Sequence, residues 1–226
     1  MNLTSLGVAA AELGLVPDSV VRSAVRRLCQ SRRRGAEGAC SDESNGAVDS
    51  FRESLRSGPI AIAPEMANRQ HYELPPEFFV GVLGPRQKYS CCYFPREDST
   101  LAEAEEAALE ATCERAGLAD GQDVLELGCG WGSLTLWAAE RYPNSRITAV
   151  TNSRAQKWWV AARAESLGLA NLRVVVADMN DFTPEGETFD RILSVEMFEH
   201  MRNYDRLLQR ISSWLRPEGR VFVHVF

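Results

Sequence analysis

The chain of 226 residues carries a net charge of −6 and is 45% hydrophobic, enough for one large domain or a domain with an appendage. A sequence pI of about 5.2 argues against a nucleic-acid-binding surface. No apolar run reaches transmembrane length and no signal peptide is read; the six cysteines (Cys29, Cys40, Cys91, Cys92, Cys113, Cys129) have neither zinc nor disulfide-framework spacing, so no metal site and a cytoplasmic location are expected.

Residues 1–34 read as N-terminal helices. Val20, Val21, Ala24, Val25 and Leu28 recur at helical spacing after a start at Pro17-Asp18-Ser19. Arg22, Arg26, Arg27, Arg32, Arg33 and Arg34 make this segment basic, which suits either a membrane surface or, as favoured here, a solvated helix face. Residues 35–50 lack apolar period and read as a linker. Residues 51–118 form a helical cap and lid segment. In it Phe51, Leu55 and Ile60 suggest a short helix and an extended piece. Within 67–82, Pro75-Pro76 opens a further helix. Lys88-Tyr-Ser-Cys-Cys-Tyr-Phe94 is too polar at its start for a buried strand, and a helix from Leu101 to Ala116 stops at Gly117.

Residues 119–226 alternate strand and helix. Strands are expected near 123–128, 146–151, 172–177, 189–195 and 219–226, and helices near 132–142, 153–168 and 203–216, the last two closed by Gly168 and Pro217. This is an α/β, doubly wound, Rossmann-like parallel sheet. The chain ends within the fifth expected strand. Because a parallel strand is covered on both faces, the sheet is expected to be incomplete at its C-terminal side.

The organising stretch is Asp123-Val-Leu-Glu-Leu-Gly-Cys-Gly-Trp-Gly-Ser133: strand, glycine turn, helix. Gly128, Gly130 and Gly132 form G-x-G-x-G around Cys129, not the dinucleotide pattern, and Thr151-Asn152 stands where a dinucleotide enzyme would carry an acid for the ribose. Glu126 lies two places before the first glycine. The set favours an adenosyl ligand with a positive centre and no pyrophosphate, S-adenosylmethionine.

Ligands of such sheets bind at the strand carboxyl ends. There Thr151 and Asn152 can cap the next helix or hold ribose hydroxyls, with Gln156 one turn along. Asp178 can cap a helix or accept from an adenine amino group while Met179 packs on the ring. Glu196, Glu199 and His200 form an acid–base group. The two glutamates, three apart, are expected on one face of a helical turn, and an imidazole ordinarily titrates near neutrality. His224, in the last strand, is either part of this site or a core histidine.

Four segments, Tyr89-Ser-Cys-Cys-Tyr-Phe94, Val124 to Ser133, Val150-Thr-Asn-Ser-Arg-Ala-Gln156 and Val195-Glu-Met-Phe-Glu-His200, together resemble the class I S-adenosylmethionine-dependent methyltransferases of the cyclopropane-fatty-acid-synthase group, nearest to its coclaurine N-methyltransferase-like members. The likeness covers roughly residues 60–226. It implies that Tyr89 and Ser90 approach the methionine end of the cofactor, Gly128 to Gly132 pass beneath it, Thr151, Asn152 and Gln156 hold the ribose, and Asp178 and Met179 the adenine. For N-methylation of a small amine, it implies that Glu196, Glu199 and His200 position the amine and take its proton. For the alternative, methylene transfer to an unsaturated lipid, it implies that Cys91, Glu199 and His224 hold a bicarbonate. Family chains normally run on past this point, so a third expectation is an inactive, truncated cofactor-binding chain.

Overall fold

The structure, a computed structural model, describes residues 3–38, 45–62 and 74–226 and divides into two compact units, Met1–Ser54 and Leu55–Phe226. In the first, α1 (Leu3–Glu12) and α2 (Asp18–Gly38) are joined through Gly14, and the Leu15 N–H closes α1 by donating to the Ala10 carbonyl. Val20, Val25 and Leu28 of α2 are each more than half exposed. The third helix, α3 (Asn45–Ser57), runs across the boundary of the two units. The linker expected at 35–50 is therefore corrected: residues 35–38 continue α2, 45–50 begin α3, and only 39–44 remain, outside the described residues. A missing apolar period does not by itself end a helix, here even with Gly35, Gly38 and Gly46 lowering the intrinsic propensity. Residues 67–73 of the stretch before the double proline also lie outside the described residues.

The second unit begins with Ile60 and Ala61, the latter bridged to Met201, then α4 (Pro76–Val82), opened by proline as expected. Helix α5 (Leu101–Ala116) starts in a capping box, Thr100 with Glu103, and ends on Gly117 at φ +65. Then follow β1 (Asp123–Leu127), α6 (Ser133–Arg141), β2 (Arg146–Thr151), α7 (Arg154–Ser166), β3 (Leu172–Val176), β4 (Phe189–Val195), a 3-10 turn (Phe198–His200), α8 (Tyr204–Trp214) and β5 (Leu215–His224). All five strands are parallel, in the order β3-β2-β1-β4-β5. The chain steps outward from β1 to β3, then crosses back for β4 and β5. That reversal opens a crevice over the carboxyl ends of β1 and β4.

Alternation along β1 divides the core. Val124 packs with Leu109 and Cys113 of α5 and Leu134 and Trp137 of α6, whereas Leu125 and Leu127 pack with Ile192, Leu207, Ile211 and Trp214 on the other face. Glu126 follows Val124 toward α6 by the same period of two.

One boundary departs from expectation. Helix α8 ends at Trp214 instead of 216, and β5 begins at Leu215 instead of 219. Pro217 disfavours helical backbone at Arg216. The Arg216 guanidinium bonds Asp190 at 2.7 Å and also reaches Asp123, holding the extended form.

Candidate functional site

A cavity of about 550 Å³ lies over the carboxyl ends of β1, β2, β3 and β4. Of the cofactor-side candidates, Tyr89, Ser90, Glu126, Gly128, Cys129, Gly130, Thr151, Asn152, Gln156, Asp178 and Met179 all line it, and Gly132 does not. The three glycines have different reasons to be glycine. All three are left-handed, but a Cβ at Gly128 (φ +84) would also meet Met197 Cβ at 2.8 Å, and one at Gly132 (φ +83) would meet Val160 Cγ2 at 2.6 Å, so these two are packing glycines as well. At Gly130, φ is +53 and nothing stands within 4 Å of a Cβ. There the backbone turns left-handed and faces open space, as a ligand cradle requires.

Beneath the turn, Glu126 is 4% exposed and its Oε2 accepts from the Thr135 hydroxyl. Burial pushes its carboxyl up to about 7, against the opposing pull of the Thr135 bond and the Lys88 charge. Burial likewise pushes the Cys129 thiol well above its ordinary range. Cys129 is thus a packed thiol, not a nucleophile.

Helix α7 is capped by Ser153, whose hydroxyl accepts from Gln156 N–H at 3.3 Å. Thr151 does something else. Its hydroxyl accepts from Ser153 N–H at 3.1 Å and therefore spends its own proton on Gln156 Oε1, 2.6 Å away. This leaves Gln156 Nε2 a buried donor without a partner. Among the described residues the buried side-chain atoms in that state are Gln156 Nε2, Trp131 Nε1 and Ser133 Oγ, and all three residues line the cavity. Polar groups buried in this way call for a partner from outside the chain, an ordered water or a ligand. Asp178 takes the Asn180 N–H at 2.8 Å in a local turn, and Met179 is buried beside it.

The roof comes from irregular backbone at 84–94. Glu105 of α5, fully buried, accepts from Arg86 N–H (2.8 Å) and Lys88 N–H (3.0 Å). Gly84 lies too close to this carboxylate to admit a Cβ. Arg86 reaches Glu106 and Glu140, and Glu106 also accepts from Trp137 Nε1. Tyr89 is set edge-on against Phe79, which packs on Trp131 of the glycine turn at 4.6 Å between ring centroids. On the far side, Asn180 pairs through both amide atoms with Ala61 (3.1 Å each), and Asn203 donates to the carbonyls of Arg56 and Gly58. These two amides clamp the 56–61 strap between the loops after β3 and β4, and Ala61 and Ile62 complete the wall.

At the other end Glu196, Glu199 and His200 line the cavity. Glu196 and Glu199 do not share a helical turn. Glu196 has φ +52, a left-handed position immediately after β4, and the 3-10 turn begins only at Phe198. Such strain is held by its surroundings: Glu196 N–H donates to the His224 carbonyl at 2.8 Å, and Glu196 Oε1 accepts from Cys91 N–H at 3.3 Å. Cys91 Sγ is 3.7 Å from His224 Nε2, and the ligand-type atoms of Cys91, Glu196 and His224 all lie within 4.8 Å of one another. The direct cluster formed here joins Cys91 and His224 to Glu196, where the expected set had Glu199. Glu199 Oε1 accepts from Phe226 N–H at 3.1 Å. His224 is half-buried with its ring on Cys91, so it is not a core histidine, but neither Cys91 nor His224 is among the residues that line the cavity.

Sequence reasoning missed Lys88, Glu105, Asn180 and Asn203. A signal for Glu105 existed: Ala104, Ala108, Leu109, Thr112, Cys113 and Ala116 mark the buried face of α5, and Glu105 falls on it. The asparagines act across more than a hundred residues of chain, beyond any local pattern.

A family model described as mycolic acid cyclopropane synthetase matches residues 62–226. The chain is 42% identical over 212 residues to (S)-coclaurine N-methyltransferase of Thalictrum flavum subsp. glaucum, covering 94% of this chain and 58% of that protein. It is similar to a crystal structure of coclaurine N-methyltransferase bound to N-methylheliamine and SAH, with TM-score 0.80, 41% identity and coverage of 99% of this chain and 64% of that one. It is also similar to a mycolic acid cyclopropane synthase complexed with SAH and CTAB, with TM-score 0.61, 34% identity and coverage of 69% and 54%. The chain thus spans less than two thirds of the length of each of these relatives. With the sheet order, the glycine turn and the matched span in agreement, the chain belongs to the mycolic acid cyclopropane synthetase family.

Proposed function

We propose that the chain binds S-adenosylmethionine in this cavity and methylates the nitrogen of a small amine. The residues present fit the cofactor: Gly130 leaves open space at the turn, and Gln156 Nε2 and Trp131 Nε1 are buried donors awaiting acceptors. Gln156 with Thr151 and Asn152 would hold the ribose, Asp178 and Met179 the adenine, and Tyr89, Ser90 and Glu126 the methionine end, over Gly128 to Gly132. When bound, the cofactor supplies a methyl group on a sulfonium, activated for displacement.

Glu196 and Glu199 attract a cationic amine to the opposite end of the cavity. An amine is nucleophilic only when neutral, so His200 accepts its proton, and the nitrogen lone pair is then free to attack in line. The electron pair of the broken carbon–sulfur bond returns to sulfur. Among the described residues four acidic side chains line the cavity, Asp178, Glu196, Glu199 and Glu126, the last raised to about 7 and so only partly charged, a field suited to a cationic cofactor and a cationic amine. The relatives that carry N-methyltransferase names, at 42% and 44% identity, support the same reading.

The observation that carries the choice of acceptor is the seat of Glu196. Methylene transfer to a lipid would need an external carbonate held near Cys91 and His224. Here the chain's own carboxylate takes the Cys91 N–H and stands beside both side chains. Among the described residues no helix is long and apolar enough to cross a membrane. We place the protein in the cytoplasm, where exposed thiols such as Cys91 stay reduced, and take 119–226 as the cofactor domain with 51–118 supplying its roof.

The test is methyl transfer from labelled cofactor to a panel of secondary amines and to unsaturated phospholipids, with and without bicarbonate. Label in amines without bicarbonate dependence is expected. Label only in lipid, stimulated by bicarbonate, would replace this reading with methylene transfer, and binding without transfer to either would leave a cofactor-binding chain.

A further inference from the structure

We propose that Lys88 is the anchor for the carboxylate at the amino-acid end of the cofactor, with Glu126 facing the ammonium of the same end; the inference rests on the S-adenosylmethionine reading. Lys88 is 6% exposed and, among the described residues, is the one lysine or arginine lining the cavity. A cation there is at first sight misplaced. It stands in a cavity proposed to take a sulfonium, and like charges repel at short range. Its ammonium has three donors. One goes to Ser90 Oγ, and no described carboxylate lies within ion-pair distance.

Glu105 lies under the same segment, but its two oxygens already accept from the N–H groups of Arg86 and Lys88. Glu126 is near enough to feel the Lys88 charge without pairing with it, and its Oε1 takes no hydrogen bond from a described residue. Buried charges are paired or they neutralise. Here the two unsatisfied ends, one cationic and one a carboxyl, face the same cavity. An α-amino acid end group supplies the matching pair, carboxylate to Lys88 and ammonium to Glu126. Lys88 is held in place for this by Ser90 at its tip and Glu105 at its backbone. The sulfonium is then shielded from Lys88 by the ligand's own carboxylate.

The experiment is titration calorimetry of the 226-residue chain and its Lys88→Met variant with three probes: S-adenosylmethionine, its decarboxylated form, which keeps sulfonium and ammonium, and 5′-methylthioadenosine, which lacks the whole amino-acid end. The parent is expected to prefer S-adenosylmethionine over the decarboxylated form by roughly 10–100-fold, the usual worth of a hydrogen-bonded charge. Lys88→Met should bind the two alike with methylthioadenosine affinity unchanged, and Lys88→Arg should keep most of the preference. A parent without the preference overturns the proposal whatever the variant does. So does a Lys88→Met variant that retains the preference, or one that loses methylthioadenosine in the same proportion, since Lys88 would then be structural. Failure of all three probes to bind the parent would overturn the cofactor reading and this one with it.

Discussion

The two ends of the cavity are built by different means. At the glycine turn, the groups that line the cavity come from the ends of β1 and β2 and the starts of α6 and α7, within about one turn of a strand end, and several are buried: Glu126 at 4%, Gln156 at 3%, Trp131 at 2% exposure. At the other end Cys91, Glu199 and His200 are exposed, and the group is assembled from a loop before α5, the end of β4 and the end of β5. The first end is buried and has donors to satisfy, which suits binding. The second is wetter and rich in titratable groups, which suits moving a proton.

The sharpest way to break this contrast is at the turn. Gly130→Leu should abolish cofactor binding while lowering stability by only about 1–2 kcal/mol, the cost of a left-handed non-glycine residue, because no atom lies within 4 Å of the new Cβ. Gly132→Leu should do the reverse in kind, since Val160 blocks its Cβ at 2.6 Å, and its first effect should be on the melting temperature. Calorimetry and thermal melts of both variants test this; unchanged affinity in Gly130→Leu would sink the cradle.

Next in size is His200→Ala, expected to lower turnover by about 10²–10⁴-fold, the usual contribution of a positioned general base. Cofactor affinity should not change, and raising the pH should restore part of the rate as more amine becomes neutral. Cys91→Ala should cost far less. If Cys91→Ala and His224→Ala fail instead, the acceptor end works on a carbonate and the comparison must be redrawn.

A smaller effect separates the ends by pH. Glu126 has its native pKa raised from 4.5 to about 7. Between those values the native state keeps a proton that the unfolded chain has lost, so the stability from this group is complete below pH 4.5, falls as pH rises toward 7, and is flat above. In Glu126→Gln that fall should vanish, making the parent-minus-variant stability decline by on the order of 3 kcal/mol from pH 4.5 to 7. Urea denaturation at pH 5 and pH 8 measures it, and a constant difference would show that Glu126 is ionised in the native state throughout.

The smallest change is Thr151→Val. It removes the acceptor for Ser153 N–H and the partner of Gln156 Oε1, and should cost about 1 kcal/mol of stability and about fivefold in cofactor affinity. No loss of affinity would mean that Gln156 needs no orientation to bind.

Much of the glycine-turn end of the cavity is legible in the sequence. The turn residues, the strand carrying Glu126 and the positions of Thr151, Gln156 and Asp178 follow from local rules: glycine where backbone must turn, alternation along a strand, polar residues at strand ends. The end at Glu196, Glu199 and His200 is legible only as a set of types. Helical period puts Glu196 on one face with Glu199, but its left-handed φ and its bond to Cys91 put it with His224, because the loop after β4 is fixed by β5 and by the roof. Lys88 reads as an ordinary polar residue opening an aromatic stretch.

By itself the sequence determined the order of strands and helices, the glycine turn and the chemical types gathered at the strand ends, because each is set within a few residues by backbone sterics and apolar period. The tertiary structure alone decided which carboxylate meets Cys91 and His224, that the Lys88 ammonium is buried in the cavity, and that Asn180 and Asn203 clamp its wall. Those outcomes depend on groups brought together across the sheet from distant parts of the chain, where burial and unpaired donors, not local pattern, select the partner.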